Sequence, residues 1–342
     1  MAGNTKSKLN WMAILQGWAM LLVVIGHASL RSEMSDTPWS QPVGAVFYRF
    51  AYSFHMALFV FVSGYLFAYT RIGKKRSYLN LIKSKFIKFG PPFIFFTTAG
   101  ILLKFIFAKY MERPTQLSLS EFANAFLYPG CGPVSEFWFL AVLMWCFFLS
   151  PLLILVTNNR ITAAISFILL AALCILQPIT TKLFCANVVQ DYAVYFLAGI
   201  IAQRYKMTEI FRGWKAFLIV FAAIGVYAVS LWVGPSVPKI VPALCGIIFS
   251  VAFARIADKF IPNLFSSYRN YTYQIYLLAL YFQVAIRLLY ERYLSPQWFY
   301  PMFIAGILAG LYLPVAISRI AELYGGRIMR LCIGLNAKRP NK

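Results

Sequence analysis

The chain contains only two histidines, and both lie in strongly apolar stretches. His27 follows the run "MLLVVIG", and His55 lies within "AYSFHMALFVFVSGYLF". A titratable side chain is costly inside a membrane, so an ionisable group at such a position is by default a functional candidate. A neutral imidazole can remove a proton as a general base or attack as a nucleophile. The two histidines are therefore the first candidates for catalysis.

Gln16 places a second polar side chain in the segment that ends at His27. The two residues are 11 positions apart, which at about 100° per residue is three helical turns plus about 20°. They therefore share one helix face and are separated by roughly 16 Å along the axis. Taken alone, His27 is equally well interpreted as an interfacial residue in contact with lipid headgroups. If the first two spans pack antiparallel, His55 lies near the same membrane face, which favours a functional site.

The composition identifies the elements that must position these residues. Hydrophobic residues make up 61% of the chain and charged residues 12%, and the mean hydropathy is +0.70. Because a soluble domain carries about 25% charged residues, the surface of this chain must face lipid. Long continuous apolar runs favour helices over transmembrane strands, which would alternate with period two. The chain is therefore predicted to be an all-α, polytopic transmembrane helix bundle.

Ten apolar windows of roughly 20 residues mark the predicted spans. They cover residues 11–30, 45–70, 83–108, 137–156, 160–178, 189–204, 214–233, 238–257, 271–290 and 299–320. The weakest are the sixth, which is short and opens with Asp191, and the eighth, which contains Pro242. The first run is too long for a cleavable signal peptide, and no small-x-small cleavage site follows it. We predict one membrane-embedded domain over 1–342, with spans over 11–320 and a basic cytoplasmic tail at 321–342.

Basic residues occur as short clusters between the apolar segments, and the net charge is +22. With the N-terminus inside, 23 of the 32 lysines and arginines fall on the inner side. This excess predicts that both termini face the cytoplasm. Nucleic acid is not a predicted partner, because no basic folded domain is left over to bind it.

The six cysteines show neither a C-x-x-C pair nor metal-ligand spacing, so no metal site is predicted. Most lie in or beside apolar runs and are interpreted as small packing residues. Cys131 and Cys185 fall in loops on the same predicted side. Whether they form a disulfide is left open by the sequence.

Six motifs follow one another along nearly the whole chain. They are "LNWMAILQGWAMLLVVIGH", "YSFHMALFVFVSGYLF", "FIKFGPPFIFF", "EFWFLAVLMWCFF", "YFLAGIIAQ" and "SSYRNYTYQIYLLALYF". Together they resemble the integral-membrane acyltransferase 3 family, and most closely its fucose-O-acetylase-like bacterial branch. The resemblance implies a multi-pass protein of the bacterial inner membrane. It also implies transfer of an acyl group, usually acetyl from acetyl-CoA, to a hydroxyl of a cell-surface glycan or its precursor. Acyl-CoA is then a co-substrate, and no bound cofactor is expected.

The resemblance also assigns candidate catalytic residues. The family's catalytic histidine matches His27, and its Phe-His-Met-Pro-Leu-Phe motif matches residues 54–59, which contain His55 and have Ala57 where proline is usual. A neutral His27 would act as general base on the sugar hydroxyl, contributing roughly 10²–10⁴-fold, or would carry the acyl group itself. The sequence does not separate these routes.

An acyl-donor site is predicted on the inner side of the membrane. The family's basic run before a proline in the third span matches Lys85 and Lys88, which precede Pro91. These lysines, with Arg76 and Gln16, are the predicted donor-binding residues, and the cluster would hold the CoA phosphates. Attraction to anionic lipid explains the same cluster equally well. A thioester arm extending into the bundle would carry the acyl group towards His27.

The chain departs from the family pattern in three ways. Many members have arginine or lysine where Gln16 stands, and a neutral amide does not pair with a phosphate. A motif that often reads Tyr-Leu-Leu-His ends here in Ala279, so a second imidazole in the ninth span is absent. The extracytoplasmic esterase-like domain of some members is also absent from this sequence.

Three further polar residues are predicted to bind the acceptor. Glu33 follows His27 in the outer loop, where solvation of the loop is the simpler explanation. Arg49 would bind an anionic substrate group or extend to lipid headgroups. Glu136 lies at the outer start of the fourth span, where a carboxylate suits a helix N-terminus.

The main alternative function is a transporter or flippase for a glycan or lipid-linked sugar, because aromatic-rich helices around a polar cavity suit either class. A receptor without catalysis is a third alternative. The predicted partners are acyl-CoA, a glycan or sugar acceptor and membrane lipid, and a homo-oligomer is left open. The acceptor, the choice between acetyl and succinyl, and the side of the membrane on which transfer occurs are also open at this point.

Overall fold

The computed structural model describes residues 9–30, 39, 41–73, 77–110, 114–212 and 215–336. The protein is 81% helical, and the described residues contain no strand. The α-helices in these ranges are α1 (Asn10–Ala28), α2 (Pro42–Tyr52), α3 (His55–Arg71), α4 (Tyr78–Ile106), α5 (Leu119–Leu127), α6 (Trp138–Phe148), α7 (Ser150–Val156), α8 (Arg160–Leu176), α9 (Ala186–Arg204), α10 (Lys215–Val233), α11 (Ile240–Phe260), α12 (Thr272–Tyr293), α13 (Phe299–Tyr324) and α14 (Arg327–Cys332).

The predicted polytopic bundle is confirmed. Within the described residues, eight helical segments are long and apolar enough to cross a membrane, including the two that were weakest in sequence, Leu183–Arg204 and Ile240–Phe260. A ninth span forms if α6 and α7 are counted as one, although this pair is bent by 54°. Pro151 lies in the first turn of α7 and cannot continue the hydrogen bonding of α6. The remaining predicted span is α8, an apolar helix of 17 residues.

The chain forms two compact units, one of residues 1–62 and 208–324, the other of 63–207 and 325–342. In the first unit α1 is central and packs against α2, α11, α12 and α13. In the second unit α9 packs against α6 and α8, while α4 packs against α5, α6 and α14. The boundary between the units falls within α3.

Apolar side chains surround α1 along most of its length. Its core partners on α12, on α13 and in the turn before α12 are all buried, and the cluster consists of Met20, Val23, Val24, Tyr268, Ile275, Ala279, Leu311 and Val315. Burial of each large apolar side chain contributes about 1.5–3 kcal/mol. These contacts hold α1 in place, so its few polar side chains are fixed by the packing of their neighbours.

A polar network fixes the N-terminal end of α1. The Asn10 side chain donates to Asp258 Oδ1 at 2.7 Å and accepts from Arg269 Nη2 at 3.0 Å. The Arg255 guanidinium lies 4.0 Å from the centroid of the Trp11 ring. These contacts join α1 to α11 and to the turn before α12, and so set the position of α1 along its own axis.

The region predicted as a tail is folded as far as residue 336. Helix α13 continues to Tyr324, and α14 packs against α4. Arg330 in α14 is buried, and its Nε donates to the Asn336 carbonyl oxygen at 2.9 Å. The six cysteines are all described and carry free thiols, including Cys131 and Cys185.

Candidate active site

The helix of the second predicted span is interrupted at residues 53 and 54, immediately before His55, although Pro42–Arg71 still counts as one span. The Ser53 hydroxyl donates to the Phe50 carbonyl at 2.7 Å, and the Phe54 amide donates to the Ala51 carbonyl at 3.3 Å. A serine that bonds back to the preceding turn competes with regular helical hydrogen bonding. The His55 Nδ1 lies 2.7 Å from the same Ala51 carbonyl, so the ring supplies the hydrogen bond that a continuous helix would have taken from its backbone. Helix α2 therefore ends before the break and α3 begins at His55.

This hydrogen bond determines which ring nitrogen of neutral His55 carries the proton. A carbonyl oxygen only accepts, so Nδ1 must carry the proton and Nε2 is the basic nitrogen. The His55 side chain is buried, with 3% of its surface exposed. It is therefore held in one orientation by its own backbone.

Tyr52 lies between the two histidines. Its hydroxyl oxygen is 3.4 Å from His27 Nδ1, a long hydrogen-bonding distance, and the two rings meet edge to face at 6.2 Å. On its other side Tyr52 meets the His55 ring at 4.9 Å. Gly26 makes this approach possible, because a Cβ there would lie 3.1 Å from Tyr52 Cε2. The structure thus brings His27 and His55 to one site through a tyrosine that the sequence did not single out.

A small cavity lies beside His27 at the end of α1. Its volume is about 10 Å³, which is about enough for one water molecule or one hydroxyl group. Trp39, Gln283, Arg287 and Gly306 are among the other residues that line it. The Trp39 indole donates to the Ala28 carbonyl at 2.8 Å, so it also satisfies the backbone at the end of α1.

Two of the cavity residues, Gln283 and Arg287, were not predicted from sequence. They lie one turn apart on α12 within the apolar run "LLALYFQVAIRLLY". Polar residues at such a spacing inside a span are a recognisable signal. The resemblance instead directed attention to Ala279, which is buried with 2% exposure and belongs to the core around α1.

The other residues predicted near this site differ in their surroundings. Gln16 is partly buried on α1. Arg49 is exposed in the last turn of α2, one turn before Tyr52. Glu33 lies outside the described residues. A role for any of the three in substrate binding stays a prediction.

In the second unit, the predicted donor residues Lys85 and Lys88 both lie on α4. The Lys85 ammonium lies 3.9 Å from the centroid of the Phe147 ring and is partly buried. Lys88 is exposed one turn further on. The positive charges of Lys88 and of Arg71, at the end of α3, repel that of Lys85. An aromatic face attracts the ammonium charge but forms no conventional hydrogen bond with it, whereas a carboxylate would accept hydrogen bonds from the N–H groups. The cluster can therefore still bind an anion. Arg76 lies outside the described residues.

Glu136 has an ion-pair partner within the second unit. Its carboxylate lies 3.8 Å from Lys104 Nζ, which also donates to the Pro133 carbonyl at 2.5 Å. These contacts fix the segment that enters α6, and an acidic residue is favourable near a helix N-terminus. These local contacts are enough to explain the position of Glu136, and its role in acceptor binding stays a prediction.

Fold and site together define a multi-pass helical membrane protein with a histidine site among its spans. Residues 9–319 match the acyltransferase 3 family, described as an acyltransferase domain. The chain therefore belongs to this family and is a membrane acyltransferase. The match includes all the predicted site residues and favours an enzyme over a transporter. No curated protein and no solved structure matches the chain significantly. Membership of the fucose-O-acetylase-like branch stays a prediction.

Proposed function

We propose that the protein transfers an acyl group, acetyl in the simplest case, from acyl-CoA to a hydroxyl of a cell-surface glycan or its precursor. Family membership supplies acyl transfer as the reaction. The observation that supports His27 as the reacting group is its position, with the Tyr52 hydroxyl at Nδ1 and a cavity of hydroxyl size alongside. The residues thus offer a base, a group that orients it and a place for the nucleophile.

In this proposal His27 takes the hydroxyl proton as the acceptor oxygen attacks the thioester carbonyl carbon. The carbon–sulfur bond then breaks, and the proton passes from His27 to the departing CoA thiolate. Such general-base catalysis contributes roughly 10²–10⁴-fold. Transfer by way of an acylated His27 is the second route and uses the same residue as nucleophile. His55 holds the break before α3 and meets the Tyr52 ring, which suits a positioning role.

The CoA phosphates are assigned to the cations of the second unit, Lys85 and Lys88. Charge-assisted hydrogen bonds to phosphate are about twice as strong as neutral ones. Gln16 is neutral, so in this proposal it contacts an uncharged part of the donor. The bacterial inner membrane is the proposed location, because the acceptor is a component of the cell envelope.

The test of this function is a comparison of surface glycans from cells with and without the protein. We expect base-labile acyl groups on one glycan only when the protein is present, detected by mass spectrometry before and after mild alkali. Identical acylation in both samples would exclude a surface glycan as the acceptor.

Replacing Lys85 with methionine should raise the KM for acyl-CoA by about 10-fold or more, since a charge-assisted hydrogen bond contributes about 1.5–3 kcal/mol. The kcat should change little, because Lys85 is not proposed to contact the reacting atoms. Lys83→Met is the matched control, because Lys83 is exposed and points about 200° away around α4. Equal KM values for the two variants would exclude Lys85 from the donor site.

Replacing Tyr52 with phenylalanine should lower kcat by about 3- to 10-fold, the effect of one modest hydrogen bond. The fold should be retained, because the ring contacts with both histidines remain. Tyr48→Phe removes the hydroxyl of the neighbouring ring, which stacks on Tyr52 at 4.2 Å, and serves as the control. An unchanged kcat for Tyr52→Phe, measured with the purified protein, would show that the hydroxyl does not orient His27.

A further inference from the structure

The carboxamide of Gln283 is held in one orientation beside the segment that carries His27. Its Nε2 donates to the Val24 carbonyl on α1 at 2.7 Å, one turn before His27. Because a carbonyl only accepts, the nitrogen must face Val24 and the oxygen must occupy the other end of the amide. The chemistry of this contact therefore fixes the positions of both amide atoms.

The neighbouring helix α13 leaves the Gln283 side chain little room to move. A Cβ added at Gly310 would lie 3.0 Å from both Cδ and Nε2 of Gln283. The backbone of α13 thus lies directly behind the amide, and Gly310 is the residue that allows it. Gln283 is 5% exposed, so the whole group is buried.

The Gln283 carboxamide oxygen is buried, and among the described residues it has no hydrogen-bond partner. A buried acceptor without a donor is unfavourable unless a ligand supplies one. Gln283 and His27 line the same cavity of about 10 Å³. Two hydrogen-bond acceptors, one of them a candidate base, thus share a space that fits one hydroxyl or one water molecule.

We propose that Gln283 is a substrate-binding residue that holds the acceptor at His27 by accepting a hydrogen bond from an O–H that is not the one deprotonated by His27. A single alcohol O–H has only one proton, which goes to His27. The bond to Gln283 must then come from a neighbouring hydroxyl, so the acceptor class is a vicinal diol of the kind that sugars carry. This inference rests on the proposed function of His27.

Water is the smallest molecule that makes both contacts, because it carries two O–H groups. The proposal therefore includes slow hydrolysis of acyl-CoA when no glycan is present. The water oxygen forms a bond to the thioester carbonyl carbon while one proton passes to His27. The carbon–sulfur bond breaks, the thiolate takes that proton, and the products are the carboxylic acid and free CoA in equal amounts.

The experiment uses purified full-length protein with acetyl-CoA and water as the only acceptor, and it measures CoA and acetate by chromatography. The wild type should release both products in equal amounts. Gln283→Leu should lower kcat by about 10-fold, the effect of one hydrogen bond to a reacting group, with the KM for acetyl-CoA unchanged. A merely structural role would lower the folded fraction but leave kcat per folded protein unchanged.

Gln190→Leu is the matched control. Gln190 is equally buried, at 4% exposure, and its amide bonds to Gln177 and Ile179 within the second unit. This variant should keep the wild-type kcat per folded protein. Gly310→Ala is the second test variant, because it keeps the Gln283 carboxamide but forces it to move, and it should also lower kcat.

The outcomes separate this inference from the proposed function. Wild-type hydrolysis rates in Gln283→Leu and Gly310→Ala, with loss in His27→Ala, would overturn the role of Gln283 and leave that of His27 intact. A wild-type rate in His27→Ala would overturn both. A wild-type protein that releases no CoA would overturn the proposal that His27 and Gln283 bind one water molecule between them. The comparison of surface glycans would still test acyl transfer itself.

Discussion

His27→Ala should abolish acyl transfer and leave the protein folded. If His27 is the general base, its loss lowers the rate by roughly 10²–10⁴-fold, and if it carries the acyl group the loss is complete. The fold should survive, because His27 lies at the end of α1 and is only partly buried, outside the core cluster around that helix. The measurement is the O-acyl content of the surface glycan, with protein amount and elution volume as checks on folding.

The same experiment separates an enzyme from a transporter. An acyltransferase variant without His27 should leave the glycan on the surface but without its acyl groups. Loss of the glycan itself would indicate transport. Full acylation by a folded His27→Ala protein would exclude His27 from the chemistry.

Gly64→Ala should strongly destabilise the second unit. A Cβ at Gly64 would lie 2.1 Å from the Phe196 carbonyl oxygen, and that oxygen belongs to the backbone of α9. Relief requires the two helices to separate, because no side-chain rotation can help. Overpacking in a well-packed core costs about 1–3 kcal/mol of folding free energy. Because this contact is with backbone and very short, we expect Gly64→Ala to lose about 3 kcal/mol of stability or more.

Gly225→Ala is the control for this prediction. Gly225 lies in α10, and a Cβ there would meet nothing within 4 Å. The same substitution should therefore be neutral or stabilise the helix by up to about 1 kcal/mol. The two variants are compared by thermal unfolding in detergent. Equal stability would mean that α3 and α9 do not approach at Gly64.

The spans were predictable because continuous apolar length is set by membrane thickness alone. Breaks inside spans were only partly predictable. Pro151 marks the bend between α6 and α7, but no proline or glycine marks the break before His55. Its cause is the Ser53 hydroxyl bonding to Phe50 and the His55 ring bonding to Ala51, and serine is common enough in helices that its presence alone predicts no break.

The candidate site was predictable to the extent that it depends on single residues in apolar surroundings. His27 and His55 are such residues, and the structure brings both to Tyr52. Gln283 is also a polar residue within an apolar span, but the resemblance directed attention to Ala279, and its contact with Val24 joins positions 259 residues apart, which only packing reveals. The partner of Glu136 was missed for the same reason, since Lys104 belongs to a different helix.

The most direct test of the central claim uses purified protein in liposomes, acetyl-CoA labelled in its acetyl group, and glycan extracted from cells that lack the protein. We expect the label to move to the glycan as an alkali-labile ester with the wild-type protein and to remain on CoA with His27→Ala. Equal transfer by both proteins would contradict the account, as would a wild-type protein that leaves every glycan fraction unlabelled.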